Sequence, residues 1–175
     1  MQIPYDIILG CQQQARKAQN TLHKLAYTKL MQISLRYVGN NDEAQEIVNT
    51  AFLKIFTKID LYHYEENFEA WIKTITIRCA LDYLKSSNRQ KEASLDETTY
   101  NLTNTSNDTL QTKDLLNILN TLPSMPRAVF NMFAIDGYSH AEIAATLNIS
   151  ESNSKYILHN ARKQLQEKVN KYYYA

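Results

Sequence analysis

The chain holds three Gly and three Pro in 175 residues, and that scarcity limits its possible folds more than any other feature. Tight turns draw on Gly and Pro, and a β-rich chain needs a turn every few residues. A chain so poor in both must run in long segments. Apolar residues recur along those segments at three- and four-residue steps, which is the helical period. The predicted class is all-α: two small helical domains joined by a flexible linker. Hydrophobic residues make up 44% and charged residues 21%, enough apolar surface for ordinary globular cores.

Three blocks follow one another. Residues 5–90, in a block spanning 1–91, show helical periodicity, and residues 113–171, in a block spanning 113–175, show it again. Between them, residues 92–112 read EASLDETTYNLTNTSNDTLQT, with Glu92, Asp96, Glu97 and Asp108 and no basic residue. So polar a stretch cannot bury enough surface to offset its ordering entropy, and it reads as a linker. The net charge of +1 is not that of a stand-alone DNA-binding module, which is usually strongly basic. Setting the linker aside leaves two mildly basic flanks.

Several classes are argued against. The start, Met-Gln-Ile-Pro-Tyr-Asp, lacks the basic and apolar parts of a signal peptide. No apolar run approaches the roughly 20 residues that span a bilayer. A cytoplasmic chain without membrane insertion is expected. Cys11 and Cys79 stand far apart and read as two reduced, partly buried thiols. His23, His63, His140 and His159 share no metal-ligand spacing, so neither metal nor cofactor is expected. A nucleophile–base pair and a Gly-rich phosphate loop are both lacking, so an enzyme is not expected.

The clearest helix runs from about Asp42 to Lys58. Ala44, Ile47, Val48, Ala51, Phe52, Ile55 and Ile59 share one face, and Asn40 with Glu43 resembles a capping box. The other face carries Glu43, Glu46, Asn49, Thr50 and Lys54. A second helix starts after Asn67, a good N-cap, and runs to about Ser86. Phe68, Ile72, Ile75 and Cys79 form its inward stripe. The loop between, Asp60 to Asn67, mixes aromatic and polar residues. Upstream, Leu22, Leu25, Leu30, Ile33 and Tyr37 are core candidates on one or two further helices.

The last block reads as four helices. Ser124 is expected to cap the second of these, and Gly137 to end it. Ser139 and Glu142 then form a capping box ahead of Ile143, Ala144 and Leu147. Asn148 stands where a left-handed backbone is wanted, and Ser150 caps the last helix. This is the grammar of a helix-turn-helix, whose second helix can lie in the DNA major groove. Ser152, Asn153, Lys155 and Tyr156 face the base edges in that reading, with His159 and Lys163 toward the phosphates.

Two motif sets carry a resemblance to a known family. Leu122-Pro123, Val129-Phe130, Gly137-Tyr138-Ser139, Glu142-Ile143-Ala144 and His159-Asn160-Ala161-Arg162 resemble region four of sigma-70 family proteins, above all the ECF group. Asp42-Glu43-Ala44, Glu46-Ile47-Val48, Phe52-Leu53, Phe68-Glu69-Ala70-Trp71-Ile72 and Ala80-Leu81-Asp82-Tyr83-Leu84 resemble region two. The resemblance spans nearly the whole chain, with region two at 1–91 and region four at 113–175. It implies a sigma factor that binds core RNA polymerase and directs promoter recognition, opening and initiation. It places Glu43, Glu46, Asn49, Thr50 and Lys54 on the beta-prime clamp helices, and region four on the beta flap and the minus-35 element. It gives the minus-10 strand to Tyr62, His63, Tyr64, Asn67, Phe68, Trp71, Lys73, Arg78, Lys85 and Arg89. Tyr62 and Tyr64 are expected to stack on bases, and Phe68 and Trp71 to belong more to the core.

The chain also departs from the family pattern. Thr50 stands where an acidic residue is common, Arg78 where Asn is common, and Ile157 and Asn160 where Arg or another polar residue is frequent. A helix so poor in bases implies modest minus-35 affinity. An auxiliary DNA-bound recruiter, RNA-guided ones included, is therefore an open partner; an anti-sigma factor is another, on the resemblance alone. Two rival readings remain: a helix-turn-helix regulator with an N-terminal sensor domain, and a sigma-like decoy that occupies polymerase without opening DNA.

Overall fold

The computed structural model describes residues 3–63, 67–93 and 110–174, with side chains at 3–63, 67–87 and 114–171. These are helical, with no strand among the described residues. Two compact units divide the chain: Met1–Leu35 with Asn40–Tyr100, and Arg36–Gly39 with Asn101–Ala175.

The first unit is built on α1 (Tyr5–Gln12), α2 (Arg16–Val38) as far as Leu35, α3 (Asn41–Lys58), a 3-10 turn (Ile59–Leu61) and α4 (Phe68–Ala93). Asn40 caps α3 by accepting from the backbone N–H groups of Asp42 and Glu43. The expected stripe of α3 is buried: Ala44, Ile47, Val48, Ala51, Phe52 and Ile55, followed by Ile59. It packs along α4, and Leu22, Ala26, Leu30 and Ile33 of α2 are buried in the same unit. Phe52 also meets the His23 ring at a tilt of 33°, centroids 4.4 Å apart.

Three expectations for this unit need correction. Leu25 is 43% exposed and not core, because Leu22, Ala26 and Leu30 already form the inward line of α2. On α4 Ile75 is only half-buried, while Thr76, Ile77, Ala80 and Leu81 are buried, so the inward face is broader than a single stripe. The same helix continues past Ser86 to Ala93, since no Gly or Pro interrupts it.

The second unit contains α5 (Leu110–Asn120), α6 (Ser124–Phe130), α7 (His140–Leu147) and α8 (Glu151–Tyr174). Its core includes Leu119, Leu122 and Ala161, with Phe130 and Leu165 packed against them. Pro123, not Ser124, occupies the N-cap of α6, and Ser124 is its first helical residue. After Phe130 the helix widens into a π turn, Asn131–Ile135, closed by Gly137 at φ +81°. Within this unit, segment 36–39 is held by polar contacts. Arg127 donates to the Val38 carbonyl at 3.2 Å and Asn131 to the Arg36 carbonyl at 2.7 Å. Asp136 accepts from Arg36 at 3.1 Å and from the Tyr37 hydroxyl at 2.8 Å. Burial first, then the Asp136 charge, push the Tyr37 phenol well above its usual range.

The turn between α7 and α8 follows the expected chemistry. Ser139 and Glu142 make the reciprocal capping box. Asn148 is left-handed at φ 56°, ψ 49°, and the Ile149 N–H returns to the Ala144 carbonyl at 3.1 Å. The Ser150 hydroxyl accepts from the Asn153 N–H at 3.1 Å.

Ser139→Ala should cost about 1 kcal/mol of second-unit stability, the usual worth of an N-cap, in urea denaturation. The backbone and hydroxyl donors of Ser139 hold the Glu142 carboxyl below its ordinary value. A depressed carboxylate pKa stabilises above the unfolded value and is lost as pH falls through the folded one. Glu142→Gln should therefore flatten the acid limb of the stability profile, below the ordinary carboxylate range, and leave the neutral limb unchanged in slope.

Candidate polymerase and nucleic-acid interfaces

The outward face of α3 exists because its other face is consumed by the core. Glu46, Asn49 and Thr50 are exposed, and Glu43 is half-buried at the helix start. Lys54 behaves differently from these four. Its ammonium pairs with Asp82 of α4 at 3.3 Å, so α4 already engages it. Beside it, burial raises the Cys79 thiol pKa against the lowering pull of the Lys54 ammonium. That keeps Cys79 a protonated, inert thiol. Leu53 is 69% exposed in the middle of this polar face. Glu46, Asn49, Thr50 and Leu53 recur at helical steps off the apolar stripe, so Leu53 shares the outward face with them.

After α3 the chain enters the aromatic segment. Tyr62 is buried, which corrects its expected place as an exposed stacking residue. The reason is local: Phe68 and Trp71 stand one turn apart and offer an apolar wall. Tyr62 meets Phe68 edge-on at 4.9 Å and Trp71 at 5.5 Å. Phe68 is buried, and Trp71, stacked on it at 5.6 Å, stays half-buried. Leu61 and His63 are exposed. The Asn67 amide oxygen caps α4 by accepting from the Ala70 N–H at 3.2 Å. Tyr64 lies outside the described residues, as does the side chain of Arg89.

Seven residues are almost two helical turns, so positions seven apart differ by about 20° around the axis. Trp71, Arg78 and Lys85 therefore line one side of α4. Arg78 and Lys85 are exposed there. Lys73 is half-buried and sits well round the helix from them, so α4 does not gather all three bases.

In the second unit, Ser154, Leu158 and Ala161 form the buried line of α8. Ser152, Tyr156, His159 and Lys163 stand on the opposite, exposed side at i, i+4, i+7 and i+11. Asn153 and Lys155 are exposed on the two flanks of that stripe. Ile157 and Asn160 are half-buried. Among the described residues no three or more His, Cys, Asp or Glu gather as metal ligands, and no helix is long and apolar enough to cross a membrane.

Two profiles match in this order: Sigma-70 region 2 over residues 22–90, and Sigma-70, region 4 over residues 112–165. Together the two cover more than half of the chain, which belongs to the sigma-70 family. It is 26% identical to the ECF RNA polymerase sigma factor SigE of Mycolicibacterium smegmatis over 90% of this chain, but spans only 60% of that protein. Against SigI of Mycobacterium tuberculosis the identity is 24%, and the chain spans 51% of it. Against the ECF sigma-E factor of Escherichia coli it is 26%, covering 88% of this chain and 87% of the other. The fold is shared with the sigma factor RpoE solved with the anti-sigma factor NepR from Bartonella quintana. There the TM-score is 0.60 at 20% identity, covering 86% of this chain and 96% of that one. It is also shared with CnrH solved with the cytosolic domain of CnrY, at a TM-score of 0.52 and 19% identity, covering 94% and 95%.

Because Tyr62 is part of the aromatic wall, Tyr62→Ala should destabilise the first unit by roughly 3–5 kcal/mol, the range for a buried aromatic ring. Tyr62→Phe keeps the ring and should unfold within about 1.5 kcal/mol of the parent. Urea denaturation followed by Trp71 fluorescence reads both; equal losses in the two variants would place the hydroxyl, not the ring, in charge.

Proposed function

We propose that this protein is a non-enzymatic, cytoplasmic transcription initiation factor that binds core RNA polymerase and directs promoter recognition and opening. The observation that carries the reading is the pairing, in one chain and in family order, of an α3 with an exposed polar face and an α8 with an exposed reading stripe. In this reading Glu43, Glu46, Asn49 and Thr50, with Leu53 among them, dock on the clamp helices of the beta-prime subunit. Lys54 shapes that face through Asp82. Trp71, Arg78 and Lys85, with His63, Tyr64 and Asn67, meet the melted minus-10 strand. A half-buried indole gives an unpaired base a π-face, and the bases of α4 give its phosphates partners. The stripe of α8 reads the minus-35 element and the second unit docks on the beta flap. Two structural neighbours were solved with an anti-sigma factor or with CnrY, so capture by an anti-sigma partner is part of the proposal.

A second reading has one observation in its favour. The exposed first turns of α8 set Lys155 against Glu151, so they neutralise little phosphate charge. In that version an auxiliary DNA-bound partner supplies the missing affinity through effective concentration. Scrambling the upstream element of a reporter separates the two. Lost transcription without any partner favours direct reading by α8, and unchanged start-site use favours the recruiter.

Runoff transcription with purified core enzyme tests the primary reading. Addition of the chain should yield promoter-specific transcripts; polymerase binding without transcripts would make it a decoy, and no binding would make it an ordinary regulator. Glu46→Lys should weaken association with core enzyme at least tenfold with the unfolding midpoint unchanged, because the residue is exposed. Unaltered affinity would move the docking face elsewhere. Tyr64→Ala should reduce permanganate reactivity of the opened strand by more than it reduces closed-duplex binding, because stacking, worth roughly 1–3 kcal/mol per base, is gained only after melting.

A further inference from the structure

Ser154 is the polar member of the otherwise apolar inward line of α8. It is fully buried, with Leu158 and Ala161 following at four- and three-residue steps. A buried hydroxyl needs a partner. Its partner is Nδ1 of His140, the first residue of α7, at 2.9 Å. The His140 ring is itself held, lying on Phe133 of the π turn with centroids 4.5 Å apart and planes at 24°. The Arg162 guanidinium of α8 covers the same Phe133 ring at 5.5 Å. The contacts thus leave α8 at Ser154, pass through His140 and Phe133, and return to α8 at Arg162, about 12 Å further along the axis.

Leu158 and Ala161 hold α8 to the core by apolar burial, which has no direction and tolerates small rotations. The hydrogen bond at Ser154 does have direction. It acts on the first turns of α8, where Asn153 and Lys155 are the exposed neighbours of Ser154 on either side. A rotation there moves both side chains relative to any base edge they face.

We propose that His140 is a positioning residue: through its hydrogen bond to buried Ser154 it sets the rotation of α8 and thereby the base preference at the minus-35 element. This rests on the sigma-factor reading above. His140 acts through Ser154 and not by contacting a base.

The test uses the full chain assembled with core RNA polymerase, selecting from duplexes randomised across both promoter elements. His140→Phe and Ser154→Ala should each lower enrichment of the preferred minus-35 sequence about fivefold, the scale of one hydrogen bond's net worth. Minus-10 selection and core affinity should stay unchanged. His140→Asn should keep the preference, since its amide can stand where Nδ1 stands. The paired variant His140→Phe with Ser154→Val removes both polar groups and refills the site, so its unfolding midpoint should return toward that of the parent. Its minus-35 preference should remain relaxed, which a merely structural role does not predict. Recovery of preference together with stability overturns the proposal. So does unchanged minus-35 selection in the single variants, or a parent that selects a minus-10 sequence and no minus-35 sequence. A parent that neither binds core enzyme nor transcribes is a different outcome, and it removes the sigma-factor reading itself.

Discussion

Each helix of this chain has one face to spend on burial, and that single constraint decides what the remaining faces can do. The α3 stripe from Ala44 to Ile55 is buried, so Glu46, Asn49 and Thr50 must point outward. The line Ser154, Leu158, Ala161 is buried, so Ser152, Tyr156, His159 and Lys163 must point outward. With three Gly and three Pro, the chain has little loop in its described parts on which to build a site. Its candidate surfaces are therefore backs of helices and one short aromatic connection. They suit docking against another macromolecule better than enclosing a small molecule.

What was legible in the sequence follows from which signals are local. Caps are local: Asn40, Asn67, Ser139 and Ser150 each bond backbone N–H groups two or three residues on, and all four were readable from residue type and spacing. The left-handed Asn148 was readable for the same reason. The α3 stripe is periodic over four turns, and periodicity survives any detail of packing. Failures came where burial depended on a neighbour brought in from another part of the chain. Tyr62 looked like a loop phenol because its own surroundings are polar. The wall that buries it is supplied by Phe68 and Trp71, across a connection that has no periodicity to read. Leu25 failed the other way: it is apolar and helical, but the inward line of α2 was already complete without it. Lys54 is off the apolar stripe of α3, as its position in the sequence implies, yet its pairing with Asp82 depends on α3 meeting α4.

The polar groups inside the second unit are more informative than its apolar core. Apolar contacts hold α8 against α7, but having no direction they do not by themselves fix its rotation. Buried polar groups do, because a misplaced hydroxyl or carboxylate loses its partner at a cost of about 1–3 kcal/mol. Ser154 with His140, and Asp136 with Arg36 and Tyr37, are such groups. No sequence pattern announced either, since a Ser inside a helix and an Asp before a Gly are each ordinary on their own.

The charge balance bears on how a protein of this kind can find DNA at all. Affinity for duplex comes largely from phosphates neutralised, and α8 offers few bases over its first turns. Under the proposed function, the first unit anchors the chain to polymerase through α3, and the second unit then meets DNA as a tethered neighbour. A tether at millimolar effective concentration makes a weak contact sufficient, provided the contact discriminates. Discrimination without strong attraction places the demand on geometry: on which side chains the stripe of α8 presents, and at what rotation. That is the property a directional hydrogen bond can hold and an apolar core cannot. It also explains why a helix with a single lysine among its first exposed residues is no argument against reading DNA. Weak attraction lowers the hold on every sequence alike, whereas a fixed rotation preserves the difference between one sequence and another.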